Sequence, residues 1–211
     1  FIKASLQLGI QFEKGLGVDQ NINEAIEYYE IAAKAGYEQA SIKYARLLIK
    51  GRYGIAADPE RAYFLVENAI LSLERKVRNG SSTAAKQLGR LYRDGELVQK
   101  DLDKAHQWLL QSARMGNTGG MHDLAWMILA STEKPDQHGE AIVWLSKAAN
   151  NGHGGAMTAL GRFHLKEKYT LKQDEAISWF QRGVLAKHGG SMEELARLYA
   201  TGGLVEKNHT E

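Results

Sequence analysis

Residues 84–95 read Ala84-Ala85-Lys86-Gln87-Leu88-Gly89-Arg90-Leu91-Tyr92-Arg93-Asp94-Gly95, and this run decides the fold because it returns along the chain. Its small residue, leucine and aromatic stand four apart, at 84, 88 and 92, which places them on one stripe of an α-helix with Gly89 beside it. The same landmarks recur as Ala4, Leu8, Gly9, Phe12 and Gly15, and again as Ala156, Leu160, Gly161 and His164. Units start at Ala4, Ala40, Ala84, Gly120, Ala156 and Ser191, with spacings of 36, 44, 36, 36 and 35 residues. A sustained period of that size marks stacked supersecondary units. The glycine at the fifth step lets a neighbouring helix approach closely, which offsets its helix-propensity cost of roughly 1 kcal/mol.

Outward from this first helix, helix A, a turn signal follows, as in Gly15-Leu16-Gly17-Val18 and Gly95-Glu96-Leu97-Val98, and then a second periodic run. It reads Asn23-Glu24-Ala25-Ile26-Glu27-Tyr28-Tyr29, Asp103-Lys104-Ala105-His106-Gln107-Trp108, Glu140-Ala141-Ile142-Val143-Trp144 and Glu175-Ala176-Ile177-Ser178-Trp179. This is helix B. Its aromatic at the third step after alanine is expected to bury about 150 to 250 Å² against the next unit and supply much of the cohesion between units. Gly36, Gly80, Gly116 and Gly152 follow helix B, where a left-handed cap suits glycine. Lys187 takes that place in the fifth unit, so a local distortion is expected there.

The pattern A-x3-L-G-x2-Y-x2-G-x-G-V followed by K-A-x2-W-Y-x2-A-A-x2-G resembles the Sel-one-like repeat (SLR) family of the tetratricopeptide-repeat superfamily, and the match runs over essentially the whole chain. The resemblance implies an all-α, right-handed α-solenoid of antiparallel helix pairs with the A helices lining a concave face. It also implies a role as scaffold or adaptor in assembling complexes, with no chemistry of its own. The expected organisation is one repeat array over residues 1–211, five units and a sixth that breaks off at Gly202–Asn208, read as a fragment of a longer array. The second unit is irregular, because Ala62 to Gly80 takes 18 residues where Ala25 to Gly36 takes 11. If helical, the surplus adds about two turns to helix B, roughly 10 Å, which would project as a private surface or merely protrude. The fourth unit turns through Ser131–Gly139 and the fifth through Glu167–Lys172.

Composition narrows the function classes. With 27 basic and 25 acidic residues and a formal charge of +2, the chain is too evenly charged for net charge to draw it to nucleic acid. No stretch approaches the roughly 18 to 20 apolar residues of a bilayer span, and Phe1-Ile2-Lys3-Ala4-Ser5 has no signal-peptide layout, so a soluble segment is expected. The absence of cysteine excludes disulfides and thiolate metal sites within these residues. His122, His153 and His188 recur near unit boundaries, but no histidine pair has the HxxxH or HExxH spacing that aims two ligands at one ion. Gly119-Gly120, Gly154-Gly155 and Gly189-Gly190 repeat at one phase and read as turn architecture, not as phosphate loops. No metal, cofactor or catalytic residue is expected.

A partner surface is better founded. The sixth step of helix A reads Ile10, Arg46, Arg90, Trp126, Arg162 and Arg197, about 240° around the helix from the landmark alanine and roughly opposite the packed stripe. By the resemblance, that direction is the groove. Lys50, Lys86, Arg93 and Lys166 stand at neighbouring steps and add charge, while Asp94, Glu193 and Glu194 subtract some. Arginines so placed grip carboxylates or phosphates, and a tryptophan among them can stack on a sugar or an aromatic side chain. The expected partner is a protein presenting an acidic or polar segment, in a periplasmic or secreted bacterial setting such as an envelope or secretion complex. An anionic polysaccharide or peptidoglycan is the alternative. A β-lactamase-like hydrolase, credited to some disulfide-rich relatives, is the third reading, and the lack of cysteine weakens it.

Overall fold

The fold is that of a computed structural model, which describes residues 2–131, 138–166 and 173–200. Among the described residues there are eleven α-helices and no strand. They are α1 (Ile2–Lys14), α2 (Ile22–Lys34), α3 (Glu38–Lys50), α4 (Pro59–Arg78), α5 (Ser82–Asp94) and α6 (Leu102–Arg114), then α7 (Thr118–Ser131), α8 (Gly139–Asn150), α9 (Gly154–Lys166), α10 (Gln173–Leu185) and α11 (Gly189–Ala200). Odd-numbered helices are the A helices and even-numbered ones the B helices of the repeat. The expected turns Ser131–Gly139 and Glu167–Lys172 and the break at Gly202–Asn208 fall wholly or largely outside the described residues.

The three A–B turns of the first unit are closed in the same way. The backbone N–H of Asn21, Asp58 and Asp101 donates to the eighth-step carbonyl of the preceding helix, at Phe12, Leu48 and Tyr92. The same three side chains then accept from the N–H of Glu24, Arg61 and Lys104 at 3.2, 3.0 and 2.9 Å, satisfying the first turn of helix B. The B helices end as expected. Gly36, Gly80, Gly116 and Gly152 adopt φ of 80, 89, 83 and 85°, and Lys187 takes the same left-handed conformation at φ 57°. A side chain there costs roughly 1 to 2 kcal/mol that glycine avoids.

The chain divides into two compact units, residues 1–108 and 109–211. In the first, α1 packs on α2, α3 on α4, and the pairs stack through α2–α3 and α4–α5. Its main core gathers Leu6, Tyr29, Tyr44, Leu48, Val66 and Leu91. In the second, α7 packs on α8 and α9 on α10, stacked through α8–α9 and α10–α11. Leu109, Leu124, Leu145 and Leu160 build its core, with Phe180 and Leu198 in a smaller cluster.

Two findings differ from the sequence reading. The third-step aromatics Tyr28, Trp108, Trp144 and Trp179 are only half-buried, and the residues one step later, Tyr29, Leu109, Leu145 and Phe180, are the fully enclosed ones. At Tyr29 and Phe180 the fifth-step glycines explain the choice: a methyl group on Gly9 would lie 2.6 Å from Tyr29 Cδ1, and one on Gly161 2.7 Å from Phe180 Cζ. The fourth-step ring is therefore seated against bare backbone, and the third-step ring is left at the edge, where Lys147 and Arg182 stack over Trp144 and Trp179 at 4.7 and 4.2 Å. Second, α4 has 20 residues where α2 has 13, as the surplus suggested, but the added turns do not project. Leu73 and Val77 are buried in a cluster with Ala84, Ala85 and Leu88. Ser72 and Lys76 bond the buried carboxylate of Glu38 at the start of α3, Lys76 Nζ at 2.7 Å. Burial pushes the Glu38 carboxyl up, but the bonds from Lys76 and Ser72 outweigh it and hold it below the ordinary range.

Candidate functional site

The sixth-step residues lie where the helical period puts them. Arg46, Arg90, Trp126, Arg162 and Arg197 are exposed, and Ile10 alone is half-buried against the first core. Their surroundings differ between the two units.

In the first unit, Arg46 from α3 and Arg90 from α5 meet in one open cleft of about 350 Å³. Lys43 and Arg93 line it as well, with Gln39 and Gln87 from the two helices and Asp94 as the lining carboxylate. Several of these cations hold an internal acid. Arg93 Nε donates to Asp94 Oδ1 at 2.9 Å. Lys43 reaches Glu13 at 3.1 Å, where the Tyr29 hydroxyl also donates. Burial raises the Glu13 carboxyl, yet the bonds from Tyr29 and Lys43 and the Lys43 charge leave it below the ordinary range. Beside the cleft, Arg46 Nε and Lys50 Nζ flank Glu96 at 3.1 and 3.6 Å. Lys86 is half-buried on α5.

In the second unit, Arg162 and Arg197 share one carboxylate. Glu194 accepts from Arg162 Nε at 2.8 Å and from Arg197 Nη2 at 2.6 Å. Burial works to raise this carboxyl, and the two guanidiniums reverse that and hold it below the usual range. Glu194 thus does more than subtract charge: it fixes two of the expected contact arginines. The side chain of Lys166 lies outside the described residues.

Trp126 is 45% exposed. Its indole Nε1 donates to His122 Nε2 at 3.0 Å, so that nitrogen carries no proton. His122 Nδ1 faces Asp123 at 3.6 Å, and its ring lies 4.7 Å from that of His153 in the α8–α9 turn. His153 Nδ1 in turn accepts from the Ala156 N–H at 3.1 Å and caps α9.

Among the described residues no group of three or more histidine, aspartate or glutamate side chains is placed to hold a metal ion, and no helix is long and apolar enough to cross a membrane. Two of the recurrent histidines, His153 and His188, stand in the turns between repeats. Thr158 Oγ1 is within hydrogen-bond distance of His188 Nδ1 at 3.1 Å and of the fully buried Ser191 hydroxyl at 2.6 Å. Sequence reasoning missed Lys43, Gln39, Gln87 and Glu96. Lys43 was within reach, since it precedes Arg46 by one helical turn, whereas Glu96 sits in a turn where no period marks it.

The family model described as Sel1 repeat matches residues 2–37, 39–71, 82–117, 119–153, 155–188 and 190–211, leaving out the stretch that includes the added turns of α4. A Rhizobium meliloti (strain 1021) protein described as exopolysaccharide production negative regulator is 28% identical over 166 residues, covering 78% of this chain and 50% of the relative. The counterpart from Rhizobium leguminosarum bv. viciae is also 28% identical over 166 residues, covering 78% of this chain and 51% of that protein. The chain spans about half the length of the curated relatives it matches. Among solved structures, a Sel1 repeat protein from Oxalobacter formigenes superposes with a TM-score of 0.59 at 22% identity, covering 96% of this chain and 78% of that one. A protective antigen of uropathogenic Escherichia coli displaying an SLR fold gives 0.57 at 24% identity, over 96% of this chain and 42% of that one. An immunity protein from Pseudomonas aeruginosa gives 0.59 at 17%, over 95% and 80%. These likenesses show the fold.

Proposed function

Because the chain belongs to the Sel1 repeat family, we propose that it is a non-enzymatic interaction module that holds an acidic or polar segment of a protein partner on the sixth-step face of its A helices. One observation carries the reading: Arg46 and Arg90, from successive A helices, converge on a single cleft with Lys43 and Arg93. Guanidinium groups in a fixed fork match carboxylates and phosphates. Gln39 and Gln87, from opposite walls, can both donate to and accept from the backbone of an extended segment. The likeness to rhizobial proteins described as negative regulators of exopolysaccharide production supports a regulatory, adaptor-like role in a bacterial envelope or secretion setting.

The test uses a fluorescein-labelled octaglutamate peptide and its anisotropy at low salt. Arg90→Glu should weaken binding by about tenfold, the loss expected for roughly 1.4 kcal/mol of charge-assisted hydrogen bonding. Wild-type affinity should also fall steeply with added salt. If Arg90→Glu binds as the wild type does, the cleft is not the site.

A second reading, a glycan platform, rests on Trp126, whose exposed indole is held in place by His122. Quenching of Trp126 fluorescence by an anionic polysaccharide, absent in Trp126→Phe, would favour it over the peptide reading.

A further inference from the structure

We infer that Arg46 and Lys50 form a carboxylate subsite at the edge of the cleft, in which Glu96 stands in for an acidic side chain of the partner. This rests on the cleft reading above and adds to it a subsite and the way it is vacated. The two cations are one turn apart on α3, so their side chains leave the same helix face and reach one point. A carboxylate already occupies that point: Glu96 Oε2 lies 3.1 Å from Arg46 Nε, and Oε1 lies 3.6 Å from Lys50 Nζ. The ligand chemistry is therefore on display inside the molecule.

Two features fit a displaceable stand-in better than a structural brace. The loop beneath Glu96 is anchored without its side chain, since Gly95 caps α5 at φ 63° and Leu97 is buried in the first core. All three side chains are also well hydrated, with 44, 53 and 30% of Arg46, Lys50 and Glu96 exposed, and ion pairs of that kind hold weakly. The carboxylate of Glu194 makes the contrast. It also lies between two cations, the sixth-step Arg162 and Arg197, but only 11% of its side chain is exposed and its bonds are 2.8 and 2.6 Å. That pair is built into α9 and α11, and a partner would have to open it.

An incoming acidic segment that places one carboxylate against Arg90 can deliver a second to Arg46 and Lys50 by turning Glu96 out to solvent. Glu96 thereby sets a threshold: a single isolated carboxylate gains little, and a segment with several acids gains both positions.

The experiment measures octaglutamate anisotropy with wild type, Glu96→Gln, Arg46→Gln, the Glu96→Gln/Arg46→Gln double variant, Arg90→Glu and Glu67→Gln. Glu67 is an exposed acid on α4 and controls for net charge. Glu96→Gln should tighten binding about two- to fivefold, the range expected for releasing an exposed ion pair. The gain should vanish in the Arg46→Gln background, and Glu67→Gln should leave affinity unchanged. If Arg90→Glu weakens binding but Glu96→Gln changes nothing, the subsite is overturned while the cleft reading stands. A gain that persists without Arg46, or that Glu67→Gln reproduces, is long-range charge and overturns it equally. If Arg90→Glu has no effect, the cleft reading fails and the subsite with it.

Discussion

Phe180→Ala is expected to cost the second unit about 3 to 5 kcal/mol, read as a lowered urea midpoint in the full chain. Phe180 is fully buried, and its ring rests on Gly161 of the neighbouring helix. Truncation removes the ring from both helices and leaves a void that the α9 backbone cannot collapse into. The opposite change attacks the same contact: Gly161→Ala places a methyl group 2.7 Å from Phe180 Cζ, and overpacking of an enclosed ring costs about 1 to 3 kcal/mol. Combining the two is diagnostic, because the methyl group would then enter the space the ring vacated. The double variant should be less destabilised than the sum of the single ones. Strict additivity would show that Gly161 and Phe180 do not share the contact described here.

The second large effect concerns the lengthened helix. Leu73→Ala should destabilise the first unit by about 2 to 5 kcal/mol, the usual range for emptying a fully enclosed leucine site. Leu71, two residues earlier and 63% exposed, should tolerate alanine within about 0.5 kcal/mol. If both substitutions were equally mild, the added turns of α4 would be an ornament and not part of the core. Thermal unfolding of the two variants decides between these outcomes.

The period of landmarks made the helix pairs legible, because a four-residue step on A and a glycine beside it leave few alternatives to close antiparallel packing. It also fixed the exposure of Arg46, Arg90, Trp126, Arg162 and Arg197, since the sixth step must point away from the fourth. Which ring of a Tyr28-Tyr29 or Trp179-Phe180 pair would be enclosed was not legible. Adjacent positions on helix B both border the packed face, and only the location of the bare glycine backbone on the facing helix decides between them. The caps Asn21, Asp58 and Asp101 carry a readable signal, a short polar side chain three residues before Glu24, Arg61 and Lys104. The ion pairs of the site are a different matter. Glu194 and Arg162 stand 32 residues apart, and Glu96 meets Arg46 from another repeat, so no local pattern links them. Sequence alone therefore showed a column of positive charge where the folded chain has charges that are in large part already answered.

Gly161 and Arg162 are neighbours in the chain, yet one is pressed against Phe180 and the other stands in solvent. The same step separates the buried Gly89 from the exposed Arg90. Consecutive residues of helix A thus answer to unrelated constraints, close packing on one side and an open charged face on the other. A substitution at the sixth step can therefore alter the chemistry of the exposed face while the glycine beside it keeps its close contact.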